Sequence, residues 1–228
     1  MAKKIKGKKP LHQKANDVVQ VRSTTYGKHT RAARGSKTTA TVNDVFAANA
    51  GKTGIINDAA KAVYDVVKFY SGNFREGQLW QNILSRMRKA KSLDFEDLLS
   101  SLHKTEINNR YQLIRFGSLP ALAVVHTKRK LRIEIEPYMP RLTGNDDCYK
   151  YAFITLLFNG KGVCVHHSIQ ETKWLTEDEE AGKEIFVFNS TTGIKYCLLC
   201  LGLQGGIERI ATDTFSSRGM MLIYPETN

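Results

Sequence analysis

The sequence predicts an α+β protein: a basic arm, then a small N-terminal helical bundle, then an antiparallel β-sandwich of immunoglobulin-like type. Three observations lead there. Positive charge is crowded into residues 1–37, apolar residues recur with a helical period up to about residue 104, and short apolar runs separated by turn signals follow from residue 108. The expected segments are therefore 1–40 (arm, largely irregular), 41–106 (bundle) and 107–228 (sandwich).

The arm holds eleven cations, Lys3, Lys4, Lys6, Lys8, Lys9, Lys14, Arg22, Lys28, Arg31, Arg34 and Lys37, against a single acid, Asp17. That is a net +10 out of the +12 carried by all 228 residues. Charge confined to one segment makes a polyanion the natural partner of that segment. Gly7 and Pro10 oppose helix in residues 1–14. Val18, Val19 and Val21 suit one short strand, Tyr26-Gly27 suits a turn, and Lys28–Lys37 reads as irregular. Serine, threonine and tyrosine among the cations can hydrogen-bond phosphate. A solubilising tail is the plainer alternative.

Val42, Val45, Phe46 and Asn49 recur at i, i+3, i+4, i+7, and Gly51 stands where a helix would close. Asn57 can cap a second helix with Ala59, Ala62, Val63, Val66 and Tyr70 on its inner stripe, broken at Ser71-Gly72-Asn73. A third helix presents Leu79, Trp80, Ile83, Leu84 and Met87, and a short fourth presents Phe95, Leu98, Leu99 and Leu102. Short connections predict antiparallel neighbours.

The expected strands are Tyr111–Phe116, Leu122–His126, Leu131–Glu136, Tyr149–Phe158, Val163–Ile169, Ile185–Phe188, Ile194–Leu203, Ile207–Thr212 and Met220–Tyr224. Leu131, Ile133 and Ile135 alternate with Arg132, Glu134 and Glu136, the pattern of one buried face. Tyr149–Phe158 is continuously apolar, as in a central strand. Turn signals lie at Leu142–Asn145, Asn159-Gly160, Thr192-Gly193, Gly205-Gly206 and Arg218-Gly219. Strands at this spacing, without helices between them, point to a sandwich.

Motifs that could carry chemistry fall short. Gly51-Lys52-Thr53 lacks the glycine a phosphate loop needs five residues earlier, where Phe46 stands, so a helix end is expected instead. Cys197 and Cys200 have the spacing of a metal or redox pair, but residues three apart on a strand face opposite ways. Cys164 and His166 share a strand face, with no third group to make a nucleophile or metal site. Asn145-Asp146-Asp147 offers oxygens without the spacing of a calcium loop. No cofactor or metal is expected.

Arg86, Arg88, Lys89 and Lys91 gather at the end of the third helix, where they favour the helix dipole and can extend a basic surface. The acidic counterpart is residues 171–184, six acids against two lysines, a net −4. Its Glu177, Asp178, Glu179 and Glu180 could dock the basic arm of another copy. No apolar run approaches the roughly 20 residues of a membrane helix. No apolar stretch follows the basic N-terminus as a signal would require. The four cysteines suit a reduced compartment, so a cytoplasmic protein, or a particle assembled from a cytoplasmic pool, is expected.

The function these features suggest is non-enzymatic: a homo-oligomeric structural or assembly protein, forming particles or filaments, whose arm contacts a neighbouring subunit or nucleic acid. A non-assembling nucleic-acid-binding protein indifferent to base sequence is the alternative. An enzyme ranks last, since no catalytic constellation stands out.

Overall fold

The computed structural model describes Lys3–Lys4, Val18–Ser23 and Gly27–Ala32, and then residues 44–228 apart from 118–120, 127–129, 137–139, 143, 177–178, 180–181, 190–192 and 226–228. It contains helices and antiparallel sheets, as an α+β chain should. Residues 1–49 and 50–228 form two compact units.

In the first unit β1 (Lys3–Lys4), β2 (Val18–Ser23) and β3 (Gly27–Ala32) make a three-stranded antiparallel sheet in that order. The strand at Val18–Ser23 is the expected one. Gly27–Ala32 was expected to be irregular and is instead a strand, paired with β2 along its whole length from Val18↔Ala32 to Ser23↔Gly27. Lys28-His-Thr-Arg has no apolar alternation to announce a strand. Backbone pairing to β2 makes the strand, and hydropathy does not register such pairing.

Helix α1 runs unbroken from Asp44 to Ser71, 28 residues. The expected close at Gly51 and cap at Asn57 do not occur. Interior glycines cost about 1 kcal/mol each relative to alanine, which the alanine-rich surroundings of Gly51 and Gly54 absorb. Both glycines face open space, with nothing within 4 Å of an added Cβ. From Ile56 onward the helix buries Ala59, Ala60, Val63, Val66 and Val67, an i, i+3, i+4 stripe. It ends at Ser71, where expected, in a 3-10 turn over Gly72–Phe74. Helices α2 (Leu79–Met87) and α3 (Phe95–Ser100) also lie where the sequence places them, burying Leu79, Ile83, Leu84 and Met87, and Leu98 and Leu99.

The remaining strands are β4 (Thr105–Glu106), β5 (Ala121–His126), β6 (Lys130–Glu136), β7 (Cys148–Asn159), β8 (Cys164–Glu171), β9 (Leu175–Thr176), β10 (Glu184–Asn189), β11 (Ile194–Ile207), β12 (Ile210–Ala211) and β13 (Arg218–Ile223). They form a large sheet of order β4-β13-β11-β7-β8, with β9 on β7 and β12 on β11, and a small sheet of order β10-β6-β5. All pairs are antiparallel.

The central strands of the large sheet, β7, β11 and β13, are buried on both faces. Ile154, Leu156, Phe158, Leu198, Cys200, Met220 and Leu222 share one core with the stripes of the three helices. Tyr149, Tyr151, Phe153, Leu157, Leu199, Leu201, Leu203, Met221 and Ile223 share a second core with Val124, Ile133, Ile135 and Phe186 of the small sheet. The helical stripes thus bury against strands as well as against each other. Period-2 alternation explains the division, since successive residues of β7, β11 and β13 feed opposite cores.

Several turn and strand expectations shift. Tyr111–Phe116 contains a 3-10 turn, Leu113–Phe116, in place of a strand. Gly205-Gly206 and Gly219 lie inside β11 and β13, and the reversal expected near Gly205 falls at Glu208 and Arg209, both left-handed (φ 51° and 64°). Close approach explains the glycine pair: a Cβ on Gly205 would sit 2.3 Å from Asp146 Oδ2, and one on Gly206 2.5 Å from the Ile210 carbonyl oxygen. The Asn159-Gly160 hairpin is as expected, with Asn159 Oδ1 accepting from the backbone N–H groups of Lys161 (2.9 Å) and Val163 (3.0 Å). No helix among the described residues is long and apolar enough to cross a membrane.

Candidate nucleic-acid interface

The register of the N-terminal sheet brings three of the arm's cations into one line. Lys3 stands opposite Arg22, and Arg22 opposite Lys28, so a cationic position from each strand shares one cross-strand row. Lys28 is exposed. Gln20 and Thr30, two positions along, are paired on the same face, a polar continuation of the row. Lys4 stands opposite Val21, and Arg31 opposite Val19, both in rows of the opposite face. Like charges directly across a ladder destabilise it unless a counter-charge lies over them. Lys6, Lys8, Lys9, Lys14, Arg34 and Lys37 lie outside the described residues.

The second cationic group is at the end of α2. Arg86 and Lys89 line a cleft of about 580 Å³ together with Asn82, Ser85, Ser101, Thr105, Glu106 and Asn109. Arg88 is exposed and is not part of that wall. Arg86 Nη1 donates to the His103 carbonyl oxygen at 3.4 Å. None of Arg86, Arg88 and Lys89 forms an ion pair with a described residue. Glu106, on the same wall, is buried at the edge of the sheet and accepts from the N–H groups of Leu113 (2.9 Å) and Ile114 (3.4 Å). Burial raises its pKa above the ordinary carboxylate value, against the lowering effect of those two hydrogen bonds and of Arg115. Thr105, buried beside it, has a hydroxyl with no hydrogen-bond partner among the described residues. The cleft is therefore of mixed sign, two cations against one carboxyl.

Of the acidic docking candidates, Glu179 is committed within its own chain. Its carboxylate accepts from the Thr176 N–H (3.0 Å) and lies 3.6 Å from Arg209 Nη2, while its carbonyl oxygen accepts from the Tyr149 hydroxyl (3.4 Å). Glu177, Asp178 and Glu180 lie outside the described residues.

The remaining motifs are occupied structurally. Gly51-Lys52-Thr53 is the exposed middle of α1, so it forms neither a helix end nor a phosphate loop. Cys197 and Cys200 belong to the two different cores, on opposite faces of β11, and burial pushes both thiols up to about 12. Cys164 Sγ donates to the His166 carbonyl oxygen at 3.5 Å, and burial raises its pKa. His166 packs on Phe188 (ring centroids 5.8 Å apart), whereas His167 Nδ1 lies 3.0 Å from the Tyr70 hydroxyl, so the two histidines face opposite ways. Asp146 accepts from Thr212 Oγ1 (2.7 Å) and Asp147 from the Glu208 N–H (3.0 Å), tying the loops at the end of β7 and β11. No group of three or more His, Cys, Asp and Glu side chains that could hold a metal occurs among the described residues.

Sequence reasoning found the cations but not their line. Nothing in the spacing of Lys3, Arg22 and Lys28 shows that they share a row, because the row exists only once β3 is a strand. No known protein family, curated protein or solved structure matches this chain.

Proposed function

We propose that the protein is a non-enzymatic structural subunit that assembles on nucleic acid, gripping the phosphate backbone with its basic N-terminal sheet without reading base sequence. The observation that carries this is the Lys3–Arg22–Lys28 row. Two strand spacings make the row about 10 Å wide, a length over which duplex DNA presents about six charges. The concentration of +10 of the chain's +12 in residues 1–37 supports the same reading. So does Glu179, whose carboxylate is engaged at home and is a poor dock for another copy's arm. Within this proposal the two packed sheets act as an immunoglobulin-like sandwich, a rigid body that repeats in the assembly, formed in a cytoplasmic pool.

The test is the salt dependence of binding to two unrelated duplexes. Affinities should agree within a few-fold and fall steeply between about 50 and 200 mM salt. Removing three phosphate contacts with K3A/R22A/K28A should reduce the slope of log K against log salt by about 2.7. Affinity flat with salt, or an unchanged slope in the triple variant, would overturn the proposal.

A further inference from the structure

The two edges of the large sheet are finished differently. At one edge β13 is covered: β4 pairs with it at Met221↔Glu106 and Leu222↔Thr105, and the Ile107 N–H donates to the Met220 carbonyl oxygen at 2.9 Å. At the other edge is β8, eight residues long, whose outer side pairs with no strand among the described residues. Natural edges are blunted with lysine, proline, inward charge or short length. The sequence Cys-Val-His-His-Ser-Ile-Gln-Glu has neither lysine nor proline, and its one acid, Glu171, is held by Lys150 at 2.6 Å. A bulge between the pairs His166↔Leu157 and Cys164↔Phe158 interrupts the hairpin end only, leaving a regular ladder over His166–Glu171. Beside the edge, Phe69 is 74% exposed and Ile169 42%.

We infer that β8 is the surface on which a second copy of this chain docks, antiparallel and two-fold, joining two large sheets into one. This rests on the assembly half of the proposed function and names its contact. A two-fold axis perpendicular to a sheet pairs residues of the same face, so it must pass through a residue. An axis at Ser168 stays within the regular ladder. It sets Ser168 against Ser168 of the other copy, His166 against Gln170 on the same face, and His167 against Ile169 on the other. No like formal charges are brought together. A pairing of five or six residues is about 20 Å long and one strand spacing, about 5 Å, wide, so it buries far less than the roughly 800 Å² per partner of a standard interface. The dimer is therefore weak alone, in the range of tens of micromolar. Two basic arms on one polyanion raise its effective concentration.

Sedimentation of the full chain from about 5 to 300 µM, with and without a duplex of about 40 base pairs (room for two copies), tests this. The parent should pass from monomer to dimer, at lower concentration when the duplex is present. Ile169→Lys should stay monomeric over the same range, and H167E/I169K, which sets opposite charges across the axis, should dimerise again. Ile169→Lys should melt within about 2 °C of the parent, since Ile169 is exposed, and H167E/I169K, which gives up the hydrogen bond of His167 to Tyr70, within about 4 °C. A parent that stays monomeric at the highest concentration with duplex bound overturns the inference. So does an Ile169→Lys variant that dimerises like the parent, or failure of H167E/I169K to recover. Dimerisation of the parent together with salt-insensitive duplex binding would retain the β8 contact and remove the nucleic-acid reading.

Discussion

The described residues include two three-stranded antiparallel sheets, each with cross-strand rows that span all three strands, and one row from each invites comparison. In the N-terminal sheet the row is Lys3–Arg22–Lys28; in the small sheet it is Val124–Ile133–Phe186. The ladders are alike, but the second row is buried to 2%, 0% and 5% exposure beside Tyr151 and Phe153, whose rings stack on one another while Phe153 meets Phe186 at a tilt, 5.3 Å between centroids. Backbone pairing alone leaves a small sheet marginal, because water offers the same hydrogen bonds. The difference teaches that like ladders need different partners: the small sheet has apolar burial, and the proposed function gives the N-terminal one a polyanion to neutralise its cations.

The most severe way to break that comparison is to empty the buried row. Ile133→Ala should cost about 2–5 kcal/mol and Phe186→Ala about 3–5 kcal/mol, read by chemical denaturation. A loss below about 1 kcal/mol would mean that the ladder carries the small sheet. By contrast, deleting residues 1–37 should leave the melting temperature of the remainder within about 2 °C, since eleven cations and a single acid make this stretch poor in side chains to bury. A fall of more than about 5 °C would show that the N-terminal sheet is a structural part of the body.

A subtler distinction comes from charge inside the body. Glu106 has its pKa raised by burial above the ordinary 4.5. Between the ordinary and the raised value the folded chain binds more protons than the unfolded one, so stability falls as pH rises through that window. Glu106→Gln removes this loss. The melting temperature of the variant relative to the parent should climb from below pH 4.5 toward neutrality. A difference that stays constant with pH would show that Glu106 titrates alike in both states. The smallest effect concerns the thiols. Cys197 and Cys200, both raised to about 12, should resist alkylation at neutral pH until the chain unfolds. Rapid labelling of either would mean that β11 opens locally.

The sequence makes burial legible and leaves pairing obscure. Leu131, Ile133 and Ile135 announce a one-sided strand, and Tyr149–Phe158 a two-sided one, because side-chain environment follows hydropathy. The stripes of α2 and α3 are legible for the same reason. The unbroken α1 is not, since Gly51 and Gly54 look like a terminus, and their tolerance depends on exposure in the folded helix. Gly205-Gly206 resembles a turn, although it is glycine because Asp146 and Trp174 crowd it. In the candidate site the cations themselves are legible. Their alignment depends on β3, a strand without an apolar pattern, and the open edge at β8 depends on strand order, which no local spacing encodes.

The position of β13 has a consequence for how this chain is made. Among the described strands it comes last in chain order, yet it lies between β11 and β4 and supplies Met220 and Leu222 to one core and Met221 and Ile223 to the other. Its partner β4 at Thr105–Glu106 leaves a ribosome long before it. Synthesis at about 5–20 residues per second therefore leaves the helices and the central strands waiting several seconds for the segment that closes both cores. For about the last one to three seconds of that wait the apolar edge of β11 is made but bare, so chaperone capture should be concentrated on nascent chains that end shortly before Arg218.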